Sequence, residues 1–261
     1  MLWLRAQPEH LALVQACFYD DPLLGAAERY HSSTEWKAIQ KLISLPRGNA
    51  LDIGAGRGIS AFALAKDGWT TVALEPDPSS VVGSAAIRSL AADAGVQIQV
   101  VETWGEALPF ESRSFDLVHV RQALHHARDL TQLCREIGRV LKPGGTVIAT
   151  REHVISSRRD LDEFLRNHPL HALYGGENAF LLEEYLEALR RAGITLSNVF
   201  NPLESDINLY PETKASVKTR IARKLRLPFA SLIPDALLSL RGKLMDSPGR
   251  LYTFVGRKHD L

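Results

Sequence analysis

The sequence predicts an α/β protein built on a mostly parallel sheet with helices on both faces. Three observations carry this. Strand-like and helix-like segments alternate from Ala50 to Phe200, the first strand-like run stops at a glycine cluster, and the composition is that of a globular chain. Of 261 residues, 45% are apolar and 23% charged, and no apolar run is long enough to cross a bilayer. These values argue against an integral membrane protein, a collagen-like fibre and a wholly disordered chain. The length suffices for one large α/β domain, with or without an insertion.

From Pro8 to about Leu45 apolar residues recur at helical spacing, with breaks near Pro22 and Gly25. Ser33 precedes a run in which Trp36, Ile39, Leu42 and Ile43 share a face. A turn at Pro46–Asn49 leads to a first strand, Ala50–Ile53, which ends on glycine. Then follow a helix at Ile59–Lys66, a strand at Thr70–Leu74, a helix at Val81–Ala94 and a strand at Ile98–Glu102. Phe115–Val120 reads as a strand, Leu130–Leu141 as a helix and Thr146–Thr150 as a strand. A helix at Leu181–Ala192, a strand near Leu196–Phe200 and a last strand at Leu251–Arg257 complete the set. Helices between strands imply right-handed crossovers and a buried parallel sheet.

The formal charge of +1 hides a split. Residues 208–261 hold 11 basic and 4 acidic side chains, a net of +7, whereas residues 1–207 carry −6. The two cysteines, Cys17 and Cys134, match no disulfide, zinc or redox pattern. The first ten residues lack the apolar segment of a secretory signal, so a reducing, cytoplasmic setting is expected.

The first strand runs into Gly54-Ala55-Gly56-Arg57-Gly58. Glycines allow a tight turn and close approach of a ligand to the backbone, and the helix beyond offers unpaired N–H groups. A dinucleotide fingerprint would need glycine at position 59, which is Ile59 here. Glu75 ends the second strand about twenty residues on, where a carboxylate can accept both hydroxyls of a ribose. Taken alone, Glu75 could equally be a solvated cap of the next helix.

Four segments resemble the class I S-adenosylmethionine-dependent methyltransferases, in particular the small-molecule group that includes quinone-biosynthesis enzymes. They are LDIGAGRG (51–58), ALEPD (73–77), EALPFESRSFDLV (106–118) and EIGRVLKPGG (136–145). The resemblance implies a Rossmann-like seven-stranded sheet of order 3-2-1-4-5-7-6 with the last strand antiparallel. It divides the chain into a helical lead-in or lid (1–48), a cofactor-binding core (49–200 with 251–261) and a basic helical insertion (201–250). It implies S-adenosyl-L-methionine as cofactor and S-adenosyl-L-homocysteine as product. On it, Asp52 or the Gly54 and Gly56 backbone beside it holds the methionine end, with Gly58 counted in the same cofactor-binding turn, Glu75 takes the ribose, and Pro76 or Asp77 borders the adenine. Arg121 and Gln122 follow the fourth strand, where backbone contacts to the methionine moiety are expected, and Tyr30 is placed to close over the cofactor. Relatives carry an acidic residue where this chain has Trp104. Adenine recognition is therefore assigned to Trp104, Gly105 and Glu106, through stacking, a backbone carbonyl or the carboxylate.

Methyl transfer relies chiefly on orientation, and a general base is needed only if the acceptor must lose a proton. The candidates are His125 and His126, past the fourth strand, and His153, past the fifth; each could instead be a packed histidine beside the cofactor. His168 and His171 have a metal-like spacing, but Pro169 lies between them and no third ligand is evident, so no metal is expected. The acceptor is expected to be a small molecule, with no nucleic acid partner, since aromatics do not interleave with the basic residues. In the insertion, Val217, Ile221 and Leu225 form one helical face among basic residues. It reads as a helix packed on the domain, a cap over the acceptor, a dimer element or a peripheral membrane contact through 214–245. A non-catalytic cofactor-binding scaffold and an NAD-dependent oxidoreductase are the competing functions.

Overall fold

Four of the five residues of β1 (Asn49–Ile53) are buried, the pattern of a strand covered on both faces. The computed structural model describes residues 1–259, so the last two residues of the expected core range lie outside the described residues. β1 pairs in parallel with β2 (Thr70–Leu74) and β4 (Phe115–Arg121), and β2 pairs in parallel with β3 (Ile98–Val101). β5 (Leu141–Ile155) extends β4 in parallel and pairs with the two-residue β6 (Phe180–Leu181). β8 (Arg250–Lys258) runs antiparallel to both β5 and β7 (Ile194–Phe200). The resulting order, β3-β2-β1-β4-β5-β8-β7, is the expected one, with β6 as an addition.

Successive residues of the central strands enter different cores, as the strand period of two requires. Leu51, Val118 and Phe254 pack with Ile137 and Leu189 on one face. Ala50, Leu117 and Val255 pack with Tyr30, Trp36 and Phe62 on the other. The second core is closed by the helices Leu23–Ser32 and Thr34–Gln40; Ser33 Oγ caps the latter by accepting from the Trp36 N–H at 3.0 Å.

Three elements differ from expectation. The fifth strand continues ten residues beyond the anticipated Thr146–Thr150, five on each side. Its register against β8 shifts between Ala149 and Glu152, at a left-handed Arg151 (φ 60°), and pairing then resumes through Glu152, His153 and Val154. His153 is therefore a strand residue. The helix expected from Val81 begins at Ser84, because Gly83 lies so close to Asp77 that a Cβ would fall 2.0 Å from the Asp77 carbonyl. In the insertion the helix Lys214–Leu225 buries Val217 and Ala222 but leaves Leu225 59% exposed. The chain reverses at the left-handed Arg226, and the Leu227 N–H returns to the Ala222 carbonyl, which closes the helix.

Candidate active site

The carboxyl ends of β1, β2, β4 and β5 open into a cavity of about 470 Å³. Crevices at the strand ends are where open α/β sheets bind ligands. At one end lies the glycine turn. The Gly54 and Ala55 N–H groups both donate to the Leu74 carbonyl, locking the turn onto β2, and a Cβ on Gly54 would fall 2.5 Å from that of Ala123. Gly54 and Gly56 line the cavity. Gly58 does not: it caps the helix Ile59–Lys66 in the left-handed region (φ 84°) and packs against Ile87, so its part is structural.

Asp52 and Glu75 supply the charge here. Asp52 is buried, and its Oδ1 meets His119 Nδ1 at 2.9 Å. Its Oδ2 has no partner among the described residues, an orphaned buried acceptor beside the cavity that suits a cationic group. Glu75 accepts from the Gly56 N–H at 2.7 Å and the Asp77 N–H at 2.9 Å, which leaves lone pairs on both oxygens for further donors. Burial pushes its carboxyl above the ordinary range, against the pull of those two amides. Pro76, Trp104, Gly105 and Glu106 continue this wall, while Asp77 lies off it. The Trp104 indole is 52% exposed, and the Arg128 guanidinium sits 4.4 Å from its ring centroid.

Tyr30 is not on the cavity wall. It is fully buried, with its hydroxyl at 3.5 Å from Ser60 Oγ and its ring among Phe18 and Trp36. The residues that do close the cavity from the N-terminal side are Cys17, Phe18 and Tyr19. Arg57 of the glycine turn holds them: it donates to the carbonyls of Phe18 and Asp20 and pairs with Asp21, which Arg5 also engages. Burial pushes the Tyr19 phenol up to about 12, so it remains a proton donor at neutral pH. A basic side chain inside the glycine turn was the signal for this clasp.

Arg121 and Gln122 end β4 at the cavity. Arg121 forms a bidentate pair with the fully buried Glu35, at 2.7 and 3.0 Å, and lies over the rings of Phe18 and Tyr30. Phe18, Gln122 and Arg151, all on the wall, have left-handed backbones (φ 59°, 52° and 60°). Such conformations cost on the order of 1–3 kcal/mol each and gather at ligand sites.

The other end is a histidine cluster. His125, His126, His153 and His168 line it with Glu177, whereas His171 does not reach it. His125 Nδ1 lies 2.7 Å from Glu152 Oε2, and its Nε2 lies 3.5 Å from Glu177 Oε2. Burial alone would lower His125, but the two carboxylates outweigh it and push its pKa up to about 9. His153 Nδ1 donates to the Gly249 carbonyl at 2.7 Å; burial and the neighbouring His125 take it down to about 3, so it is neutral. Burial would raise Glu177, but His125, His126 and His168 bring it to about 2. His126 Nδ1 donates to the Gly176 carbonyl at 2.8 Å, and burial lowers its pKa. Sequence reasoning missed Glu152 and Glu177; an acid between Arg151 and His153 in a buried strand was a legible sign of the first.

Residues 51–149 match the family model for a methyltransferase domain. Over 119 residues, 45% of each chain, the protein is 34% identical to the uncharacterized methyltransferase YcgJ of Bacillus subtilis. The crystal structure of YcgJ superposes with a TM-score of 0.58 at 21% identity, covering 87% of this chain and 99% of that one. A [4+2]-cyclase, SpnF, shares the fold with a TM-score of 0.59 at 22% identity, over 90% of this chain and 81% of its own. Phospholethanolamine N-methyltransferase 2 of Haemonchus contortus, solved with S-adenosylhomocysteine, gives 0.59 at 20% identity, over 94% and 61% of the two chains. The matched stretch spans about half the length of the curated relatives. The strand order, the glycine turn and the matched segment together make residues 51–149 similar to a methyltransferase domain, on a fold shared with solved methyltransferases.

Proposed function

We propose that the protein transfers a methyl group from S-adenosylmethionine to a small-molecule acceptor bound at the histidine end of the cavity. One observation carries this reading: a single cavity joins the orphaned Asp52 Oδ2 and the Glu75 carboxylate to a histidine-lined end. When bound, the cofactor supplies an electrophilic methyl on a sulfonium, released by in-line displacement to leave S-adenosylhomocysteine. Asp52 Oδ2 receives the ammonium of the methionine end, beside the backbone of Gly54 and Gly56. Glu75 receives the ribose hydroxyls. Pro76, Trp104, Gly105 and Glu106 border the adenine, with the free indole face of Trp104 as a stacking surface. Arg121 and Gln122 place the β4 backbone against the methionine moiety. The 17–21 segment acts as the lid, clasped by Arg57, and excludes water so that orientation governs the rate.

At the acceptor end His153 Nε2 and Glu177 offer lone pairs, whereas His125 holds a proton. His126 is the more exposed of the four histidines and stands at the mouth. The group methylated is an oxygen, nitrogen or carbon nucleophile held there. The test is titration calorimetry with S-adenosylmethionine, S-adenosylhomocysteine and NAD. Binding of the first two without NAD supports the reading. NAD binding without response to the others would replace it with a dehydrogenase, and binding without turnover of any small acceptor would leave a scaffold.

A second observation concerns the insertion. Leu225, Phe229, Leu232, Leu240 and Leu244 are each more than half exposed, in the same segment of chain as the exposed Arg220, Arg223, Lys224 and Arg226. A segment that exposes both basic and large apolar side chains matches an anionic membrane surface. The expected result is sedimentation with phosphatidylglycerol vesicles but not with phosphatidylcholine, lost in Phe229→Asp/Leu240→Asp. Concentration-dependent dimerisation without vesicle binding would assign the patch to a second copy.

A further inference from the structure

The histidine end has the architecture of a metal site. His125, His153 and Glu177 each present a ligand atom within 4.8 Å of the other two. Around one ion with bonds of about 2.0–2.1 Å, tetrahedral ligands sit about 3.3 Å apart, so small side-chain rotations close the set. The three come from different parts of the chain: the turn after β4, the extension of β5, and the segment after the left-handed Gly175 and Gly176.

What separates this from a chance cluster is the second layer of contacts. Histidines that bind metals anchor one ring nitrogen on a carboxylate or a backbone carbonyl, which aims the other at the ion. His125 Nδ1 is anchored on Glu152 at 2.7 Å, and Glu152 is itself fixed by the backbone N–H groups of Ala123 (3.2 Å) and His125 (3.0 Å). His153 Nδ1 is anchored on the Gly249 carbonyl at 2.7 Å. Both rings therefore direct Nε2 at the same space. Among the described residues, the ion-pair partners of Glu177 are His125, His126 and His168, with no lysine or arginine. His168 Nδ1 already accepts from the His171 N–H at 3.3 Å, which makes it a neighbour of the set rather than a member.

We propose that His125 Nε2, His153 Nε2 and Glu177 bind one divalent first-row transition metal ion, which displaces the His125 Nε2 proton to solvent and keeps its remaining positions open to the cavity. Two imidazoles and one carboxylate suit zinc, iron(II), cobalt(II) or nickel(II) better than magnesium or calcium, which favour all-oxygen sets. Such an ion supplies Lewis acidity to a coordinated oxygen or nitrogen. The acceptor class follows as a small molecule with a hydroxyl, phenol or amine that reaches the open positions. That class rests on the methyl-transfer reading above, but metal binding does not.

The full-length protein, stripped with chelator and dialysed, is titrated with ZnCl2 and with CoCl2. The expected result is one equivalent bound, with a ligand-field absorption band for cobalt. His153→Ala and Glu177→Gln should abolish the stoichiometric site, Glu177→Asp should keep it in weakened form, and Glu152→Gln should weaken it about 10–100-fold. His171→Ala should leave it intact. S-adenosylhomocysteine titration of the same samples reports folding and the other end independently. Failure of wild-type protein to bind either metal at one equivalent overturns the site, as does binding that survives both His153→Ala and Glu177→Gln. Metal binding without S-adenosylhomocysteine binding would instead overturn the methyl-transfer reading alone.

Discussion

At the Glu75 end of the cavity, the working groups are backbone amides and two carboxylates supplied by contiguous strand–turn segments. At the Glu177 end, they are side chains brought in by β4, β5 and an irregular segment some fifty residues after the first of them. The first construction is nearly independent of side-chain identity beyond glycine, Asp52 and Glu75, so many relatives can share it. The second depends on individual rings and their anchors, and it is where one member of a fold family can differ from another. A [4+2]-cyclase of the same fold illustrates that a fold does not by itself fix a function.

The strongest way to break this division is to attack the joint between the ends. Arg121, on the cavity wall at the end of β4, pairs with the fully buried Glu35. Glu35→Ala leaves a buried guanidinium without its carboxylate and should cost about 3–5 kcal/mol in urea unfolding. Glu35→Ala/Arg121→Met should recover much of that, because the charge leaves with its partner. A loss under 1 kcal/mol in the single variant would mean that water reaches Arg121. The next effect is confined to one end. Glu75→Ala should weaken S-adenosylhomocysteine binding by about 1.5–3 kcal/mol, roughly 10–150-fold, with unchanged unfolding. An unaltered affinity would remove Glu75 from the site.

The two ends also differ in how legible they were. The alternation of strands and helices, the glycine turn and the place of Glu75 at a strand end could be read because their signals are local, whereas the sheet order came from the resemblance of four segments to a known family. Tyr30 was placed by resemblance to relatives, which does not fix how a helical lead-in packs; its ring lies in the core, and Phe18 and Tyr19 line the cavity instead. The register shift at Arg151 hid the polar half of β5, since strand alternation does not survive a bulge. Glu177 follows two glycines in a segment without periodicity, and only the folded chain brings it to His125 and His153.

A smaller effect sharpens the Glu75 end. One indole face of Trp104 is occupied by Arg128. If the other face stacks on the adenine, Trp104→Ala should weaken S-adenosylhomocysteine binding by about 0.5–1.5 kcal/mol, and Trp104→Phe should retain most of the affinity. Equal losses in both variants would point to the indole N–H rather than the ring.

The smallest effect is the most discriminating. Glu177 lies among four histidines at the far end and makes no contact with Asp52 or Glu75. Glu177→Gln keeps the shape of the side chain and removes its charge. If the ends are separately built, calorimetry should find S-adenosylhomocysteine affinity within about twofold of wild type, a change near 0.4 kcal/mol. A tenfold change would show that charge at one end is felt at the other through a shared element, and Arg121 at the tip of β4 would then be the residue to test for carrying it. The measurement thus decides whether the two ends of the cavity act independently or as one coupled site.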